Sequence, residues 1–355
     1  MNRRRAGWRR QILWLFAFAN CLCLVRPARP QSDTLRLKVQ VVLVELDVAV
    51  TDTKGNYVSG LKPADFLITE DNLPETIRTF EESSEARKGL LAGTVPAAFD
   101  GAASLNPPAQ NTGAVPRPIA SNVFILFDTS NYMYRGFVYA EDAIADFVQS
   151  LEGVDGLALY SYSRDLSRVV PLSADRSRVL HGLRTTVAGD YPALYNSLLT
   201  TVRDAAPLSG RKAIVVFSNG PDTASVVPPE DVSEFAQSTG TIIYMISTRA
   251  AQTEPVSSAV FERMTRATGG KVYFAKEWQD EQKAFAAIRD DLAHLYTLSY
   301  SPQANHNHGF RHITVKLVGR SMQKFHVRTR EGYRLLYPSE VATIVSPSGS
   351  GVPVP

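Results

Sequence analysis

The chain has 355 residues, 44% hydrophobic and 21% charged, the balance of a globular protein with one large or two ordinary domains. Its formal charge of +3 resides in the first thirty residues, which carry seven arginines and no acid; setting those seven aside leaves −4, which removes the compositional case for nucleic-acid binding. Both cysteines, Cys21 and Cys23, lie in the same stretch, so the chain beyond it has no disulfide, thiolate metal site or thiol nucleophile.

Residues 1–30 open on "MNRRRAGWRR", continue with the apolar run "ILWLFAFANCLCLV" and end on "RPARPQS" just beyond. A run of about fourteen is short for a membrane span, which needs roughly twenty residues, and fits the apolar region of a secretory signal peptide. The expectation is export to the periplasm, cell surface or medium, with membrane association only where the leader is retained as an anchor. "RRQIL" at Arg9–Leu13 is a loose match to a twin-arginine signal, and "FANC" lacks the small residues of a lipoprotein cleavage box.

Residues 31–83 read as strands. "LRLKVQVVLVELDVAV" (35–50) alternates at strand period, Gly55-Asn56 marks a tight turn, and "DFLITEDNLPETIRTFEES" gives two short strands around Asp71–Pro74. Three strands make half of a small β-sandwich. Residues 84–118, rich in Ala, Gly, Pro and Ser without a period, read as a flexible linker.

From 119 to 294 strands and helices alternate. Strands are expected at 122–128, 157–163, 212–218, 241–247 and 271–275, and helices near 136–151, 175–186, 193–206, 229–239, 257–268 and 279–294. Near-continuous apolar strands separated by helices imply a doubly wound, mostly parallel α/β sheet covered on both faces. Ligands of such sheets bind at the carboxyl ends of strands near a topological switch point. "NVFILFDTSNYM" (122–133) puts Asp128 at such an end, where a carboxylate either serves a site or accepts backbone N–H groups in the turn before the next helix. Ser130 has the same two options.

Residues 295–337 return to strands with "LYTLSYSP", "HITVKLV" and "KFHVRTREGYRLLY", completing the half-sandwich, so that the α/β domain is inserted between the two parts of one β domain. Residues 338–355 read as a disordered tail.

The region 119–294 resembles a von Willebrand factor A domain, and residues 35–337 as a whole resemble the secreted bacterial VWFA-related family of the acidobacterial type. The resemblance is carried by "VAVTDTKGNYVSGLKPADFLITEDNLPETIRTF", with Gly55, Val58, Leu61, Asp65, Phe66, Glu70 and Asp71 in place, and by "LYTLSYSP", "FRHITVKLV" and "FHVRTREGY". It implies a metal-ion-dependent adhesion site: an Asp-x-Ser-x-Ser turn, a Thr from a second loop and an Asp from a third, oxygen ligands suited to Mg²⁺ or Mn²⁺. On this chain it assigns Asp128 and Ser130 as ligands. The remaining positions depart from the pattern: Tyr132 replaces the second Ser, Pro192 of "GDYPALYNS" the Thr, and Asn219 of "FSNGPD" the acid, its neutral amide counting as a third ligand at most. Asp190 and Asp222 are the acids able to compensate. The site is degenerate, and its cofactor is either absent or Mg²⁺ or Mn²⁺ held weakly.

Other signals are weaker. His306, His308 and His312 of "NHNHGFRH" fit a solvated turn better than a metal site. No nucleophile elbow, phosphate-binding loop, dinucleotide fingerprint or zinc-protease motif is present, and the adjacent Asp290 and Asp291 diverge around a helix. Catalysis, as by a hydrolase built on the loops, is the remote alternative. Tyr132, Tyr191 and Pro192 mark a partner-binding face, Tyr134 and Tyr195 lying close by. The expected function is non-enzymatic binding or scaffolding of another protein or envelope component, with metal-dependent adhesion as the alternative.

Overall fold

The computed structural model describes residues 43–83, 119–133, 136–218, 221–248 and 255–335. They belong to one body that begins at Val42. The expected leader, linker and tail, the first part of the 35–50 strand pattern, and Tyr134 and Asn219 fall outside the described residues.

The larger sheet has six strands in the order β10-β9-β8-β5-β6-β7: β5 (Ser121–Asp128), β6 (Gly156–Tyr162), β7 (Leu166–Ser173), β8 (Arg211–Ser218), β9 (Thr241–Ser247) and β10 (Val272–Phe274). All pairings are parallel except that of β7. Every residue of β5, β6, β8 and β9 is buried because helices cover both faces. Val123, Ile125 and Phe127 of β5 pack with α1 (Phe137–Ser150), α2 (Arg176–Leu183) and α6 (Trp278–Ala293). Phe124 and Leu126 face the other way, towards α3 (Leu194–Ala205), α4 (Pro229–Thr239) and α5 (Pro255–Thr268). This two-sided burial is why β5 reads as an unbroken apolar run. The chain leaves β5 for β6 on one side and reaches β8 on the other, so Asp128 ends the strand at the switch point.

Strand β7 has no counterpart in the sequence reading. It is an edge strand, antiparallel to β6 with irregular register, and it holds Pro171, a residue that edge strands tolerate and central ones do not. Helix α2 stops at Leu183, three residues before the expected end, where the hydroxyls of Thr185 and Thr186 turn back onto the carbonyls of Gly182 (2.8 Å) and Leu183 (2.7 Å).

Eight short strands from the two ends of the described chain form two antiparallel four-stranded sheets. One has the order β13-β1-β11-β4, with β1 (Val44–Thr51), β4 (Ile77–Glu82), β11 (Tyr296–Tyr300) and β13 (His326–Arg328). The other has the order β14-β12-β2-β3, with β2 (Phe66–Glu70), β3 (Leu73–Glu75), β12 (Phe310–Leu317) and β14 (Gly332–Arg334). Residues 65–83 thus hold three strands where the sequence suggests two. Asp71 and Asn72, at φ 47° and 70°, fold β3 back on β2, and the chain then crosses to the first sheet as β4. Likewise, β13 and β14, three residues apart in the chain, lie in opposite sheets. Leu46, Val48, Phe66, Ile68, Leu298 and Ile313 share one apolar cluster.

Polar groups join the first small sheet to the large domain. Arg211 donates to Asp47 (3.1 Å), Thr297 (2.7 Å) and the Leu292 carbonyl. Asp291 of α6 is fully buried and receives Arg328, Lys271 (3.5 Å) and the hydroxyls of Tyr57 (2.6 Å) and Tyr244 (2.5 Å). Burial alone would raise its carboxyl; Arg328, Lys271 and the two hydroxyls outweigh burial and hold it below the ordinary range.

Candidate functional site

Asp128 closes β5 and is 0% exposed. The chain turns at once, and the Ser130 N–H donates to Asp128 Oδ1 at 2.9 Å, the short-range turn geometry that aspartate favours. Tyr162 at the end of β6 lies against the same carboxylate, and its hydroxyl oxygen stands 3.2 Å from Ser218 Oγ. Burial first, and Asp128 second, push that phenol well above its usual value, so it stays protonated. Thr129 is tied by its N–H (2.8 Å) and hydroxyl (3.1 Å) to the Tyr162 carbonyl. Two other hydroxyls, Ser130 Oγ and Ser247 Oγ at the end of β9, are buried without a hydrogen-bond partner.

The second loop is knitted to the first through backbone. Gly189 N–H donates to the Thr129 carbonyl (2.7 Å), and Asn131 N–H to the Asp190 carbonyl (2.8 Å). Only glycine permits this approach at 189, since a Cβ there would lie 2.2 Å from Ser163 Oγ. The Asp190 side chain is exposed. Pro192 is buried, and its carbonyl accepts the N–H groups of Thr223 and Ala224, each at 3.1 Å, which fixes the third loop. Asp222 is spent on backbone: it accepts Tyr195 N–H (2.8 Å) at the start of α3, Ser225 N–H (2.8 Å) and Ala224 N–H (3.2 Å). Tyr132 and Tyr191 are exposed at 43% and 59%, while Tyr195 is partly buried.

The structure therefore brings together Asp128, Ser130 and the backbone of 189–190, sets Tyr132 and Tyr191 outside, and commits Asp222 to capping. Asn219 lies outside the described residues. His306 and His308 are exposed on the loop before β12 and His312 on that strand; it is Asn305 and Asn307 that bind Asp71 Oδ2, each at 2.8 Å. Among the described residues, no group of three His, Cys, Asp or Glu could hold a metal ion. His181 is exposed, and His294 stacks on Tyr57 at 4.9 Å. Sequence reasoning misses Tyr139 of α1 and Trp278 of α6, which stack with centroids 6.5 Å apart and stay half exposed. Trp278 is the sole tryptophan beyond the leader, a signal that was available.

Residues 123–221 match the family model of the von Willebrand factor type A domain, the stretch from β5 through the first two loops just described and up to the residue before Asp222. A von Willebrand factor A domain is present. No curated protein matches the chain. Among solved structures, a variant of the PilB minor pilin from Streptococcus sanguinis is 11% identical with a TM-score of 0.42, over 51% of this chain and 63% of the pilin, less than two thirds of its length. A von Willebrand factor type A protein from Catenulispora acidiphila is 13% identical with a TM-score of 0.42, over 63% of this chain and 68% of the other. The vWF domain of the type V pilus tip protein Mfa5 from Porphyromonas gingivalis is 11% identical with a TM-score of 0.42, over 50% and 96%. The domain assignment rests on the family match together with the strand order.

Proposed function

We propose that this chain is an exported, non-enzymatic binding or scaffolding protein of the VWFA-related, acidobacterial type. Its A domain is carried on a β-sandwich formed by the two small sheets, and the loops around Asp128 contact another protein or envelope component without requiring a metal ion. The carrying observation is the commitment of the donor set. Asp222 receives three backbone N–H groups, Pro192 stands buried where a hydroxyl is needed, and Tyr132 points outward. Asp128 and the Ser130 hydroxyl alone do not fit Mg²⁺, which leans on carboxylate charge and six-fold oxygen coordination. What the face offers instead is two exposed tyrosines on loops held rigid by backbone hydrogen bonds, the residue type enriched at binding interfaces. No helix among the described residues is long and apolar enough to cross a membrane.

The test is surface plasmon resonance of envelope fractions over the immobilised protein. Binding should be unchanged by EDTA and reduced by Tyr132→Ala and Tyr191→Ala; binding abolished by EDTA and indifferent to both substitutions refutes the assignment. One observation favours metal-dependent adhesion as the second reading: Ser130 Oγ is buried without a partner, as a ligand awaiting an ion would be. Asp128 and Ser130 would then be ligands, with Asp190, Asn219 or Asp222 completing the shell.

A further inference from the structure

We propose a small-oxyanion site, independent of Asp128, in the cavity between the start of the larger sheet and the first small sheet. The cavity has a volume of about 280 Å³ and is lined by Glu45, Lys212, Gly240, Arg330 and Tyr333, among others. It lies at the end of β8 opposite to Ser218, far along the strand from the loops discussed above.

Its charges do not cancel. Arg330 and Lys212 are each only 8% exposed. Arg330 donates to the carbonyls of Gln237 and Glu45 (2.8 Å), its guanidinium sits 5.5 Å from the Tyr333 ring centroid, and its Nε–H is buried with no acceptor. Lys212 Nζ donates to the Leu208 carbonyl at 3.1 Å. Neither cation has a carboxylate within ion-pairing distance among the described residues. The other charges of the lining are already used: Asp47 receives Arg211 (3.1 Å) and Thr297 (2.7 Å), and Arg334 pairs with Glu234. Glu45 and Asp47 are the lining carboxylates near both cations; Asp47 is already engaged by Arg211, and burial and Asp47 raise the Glu45 carboxyl above its ordinary range.

A buried guanidinium is always charged, and burying it without an anion is costly. Carbonyl dipoles offset part of that cost, but the Arg330 Nε–H stays without an acceptor, and Arg330 and Lys212 line the same cavity. Guanidinium and ammonium groups of this kind bind carboxylate or phosphate oxygens by charge-assisted hydrogen bonds. Gly240 is also part of the lining. It ends α4 at φ 67°, and a Cβ there would approach Arg330 Nη1 to 3.4 Å. The ligand class is a small oxyanion, whose source is either inorganic phosphate or a small carboxylate.

The test is isothermal titration of inorganic phosphate, and in parallel acetate, into the full chain in low-chloride buffer. One-site binding of either anion is expected, the stronger of the two naming the source. Lys212→Met should weaken it on the order of tenfold, the loss of one charged hydrogen bond. Arg330→Gln should abolish it, and Glu45→Gln should tighten it at pH 8, where the Glu45 carboxyl competes as an anion for the same cations, and by less at pH 5, where protonation has already removed that charge. Should Arg330→Gln fail to fold, the opposite shifts of Lys212→Met and Glu45→Gln carry the test. No saturable heat with either anion, or heat unchanged in both of those variants, overturns the site.

Discussion

Asp128 and Asp291 are both 0% exposed, yet one closes a strand among loops and the other anchors two parts of the molecule to each other. Around Asp291 stand a guanidinium, an ammonium and two phenols drawn from β13, the Gly269–Val272 segment, the loop after β1 and β9. Around Asp128 stand its own turn's N–H and the Tyr162 hydroxyl, with the unpartnered Ser130 hydroxyl next to it in sequence. Burial of a carboxylate is therefore not a mark of a binding site in itself. Cationic partners from distant elements make a structural clasp; neutral groups at a neighbouring strand end and in the same turn make a rim.

The comparison breaks first at Asp291. Asp291→Asn should cost about 3 kcal/mol in urea unfolding, because it leaves the partly buried Arg328 without its counter-ion; a loss below about 1 kcal/mol would mean the clasp is ornamental. The sign with pH follows from its lowered carboxyl. The stabilisation is present above the unfolded-state value and is lost as pH falls through the lower folded value, so the variant should flatten the acid limb of the stability profile.

Gly189→Ala tests the rim. Its Cβ would meet Ser163 Oγ at 2.2 Å, and overpacking of this kind costs about 1–3 kcal/mol. Amide exchange at Asn131 should accelerate with it; unchanged exchange would show that the two loops are not coupled. A smaller effect is expected at Glu281 of α6, whose Oε2 is buried without a partner and whose carboxyl burial pushes up to about 7. The unfolded chain ionises first as pH rises, so stability is full below the unfolded value and declines through about 7. Glu281→Gln should raise the melting temperature at pH 8 and leave it unchanged at pH 4; the same shift at both values would assign the effect to packing. Smallest of all, Tyr132→Ala and Tyr191→Ala should change stability by no more than about 0.5 kcal/mol, as exposed sites do, so any loss of binding is separable from unfolding.

The large sheet was readable because two-sided burial writes an apolar run at every central strand. Strand β7 was not, because an antiparallel edge with Pro171 carries neither the run nor a clean alternation. The crossing of 65–83 between two sheets escaped for a related reason: Asp71 and Asn72 announce a turn, but nothing local says which sheet follows. At the site, the position of Asp128 was legible from the strand that it ends. The engagement of Asp222 was not, since it depends on Tyr195, 27 residues earlier. Asp291 was hidden further, beside Asp290 on a helix, with its partner Tyr57 234 residues away in the chain.

The central claim is that the Asp128 rim works without metal, and calorimetric titration of Mg²⁺ and Mn²⁺ into the protein beside its Asp128→Ala variant tests it most directly. The account predicts no saturable heat from either protein. A heat that saturates at millimolar metal or below in the parent and vanishes in the variant would contradict it and make Asp128 and Ser130 ligands of a working adhesion site.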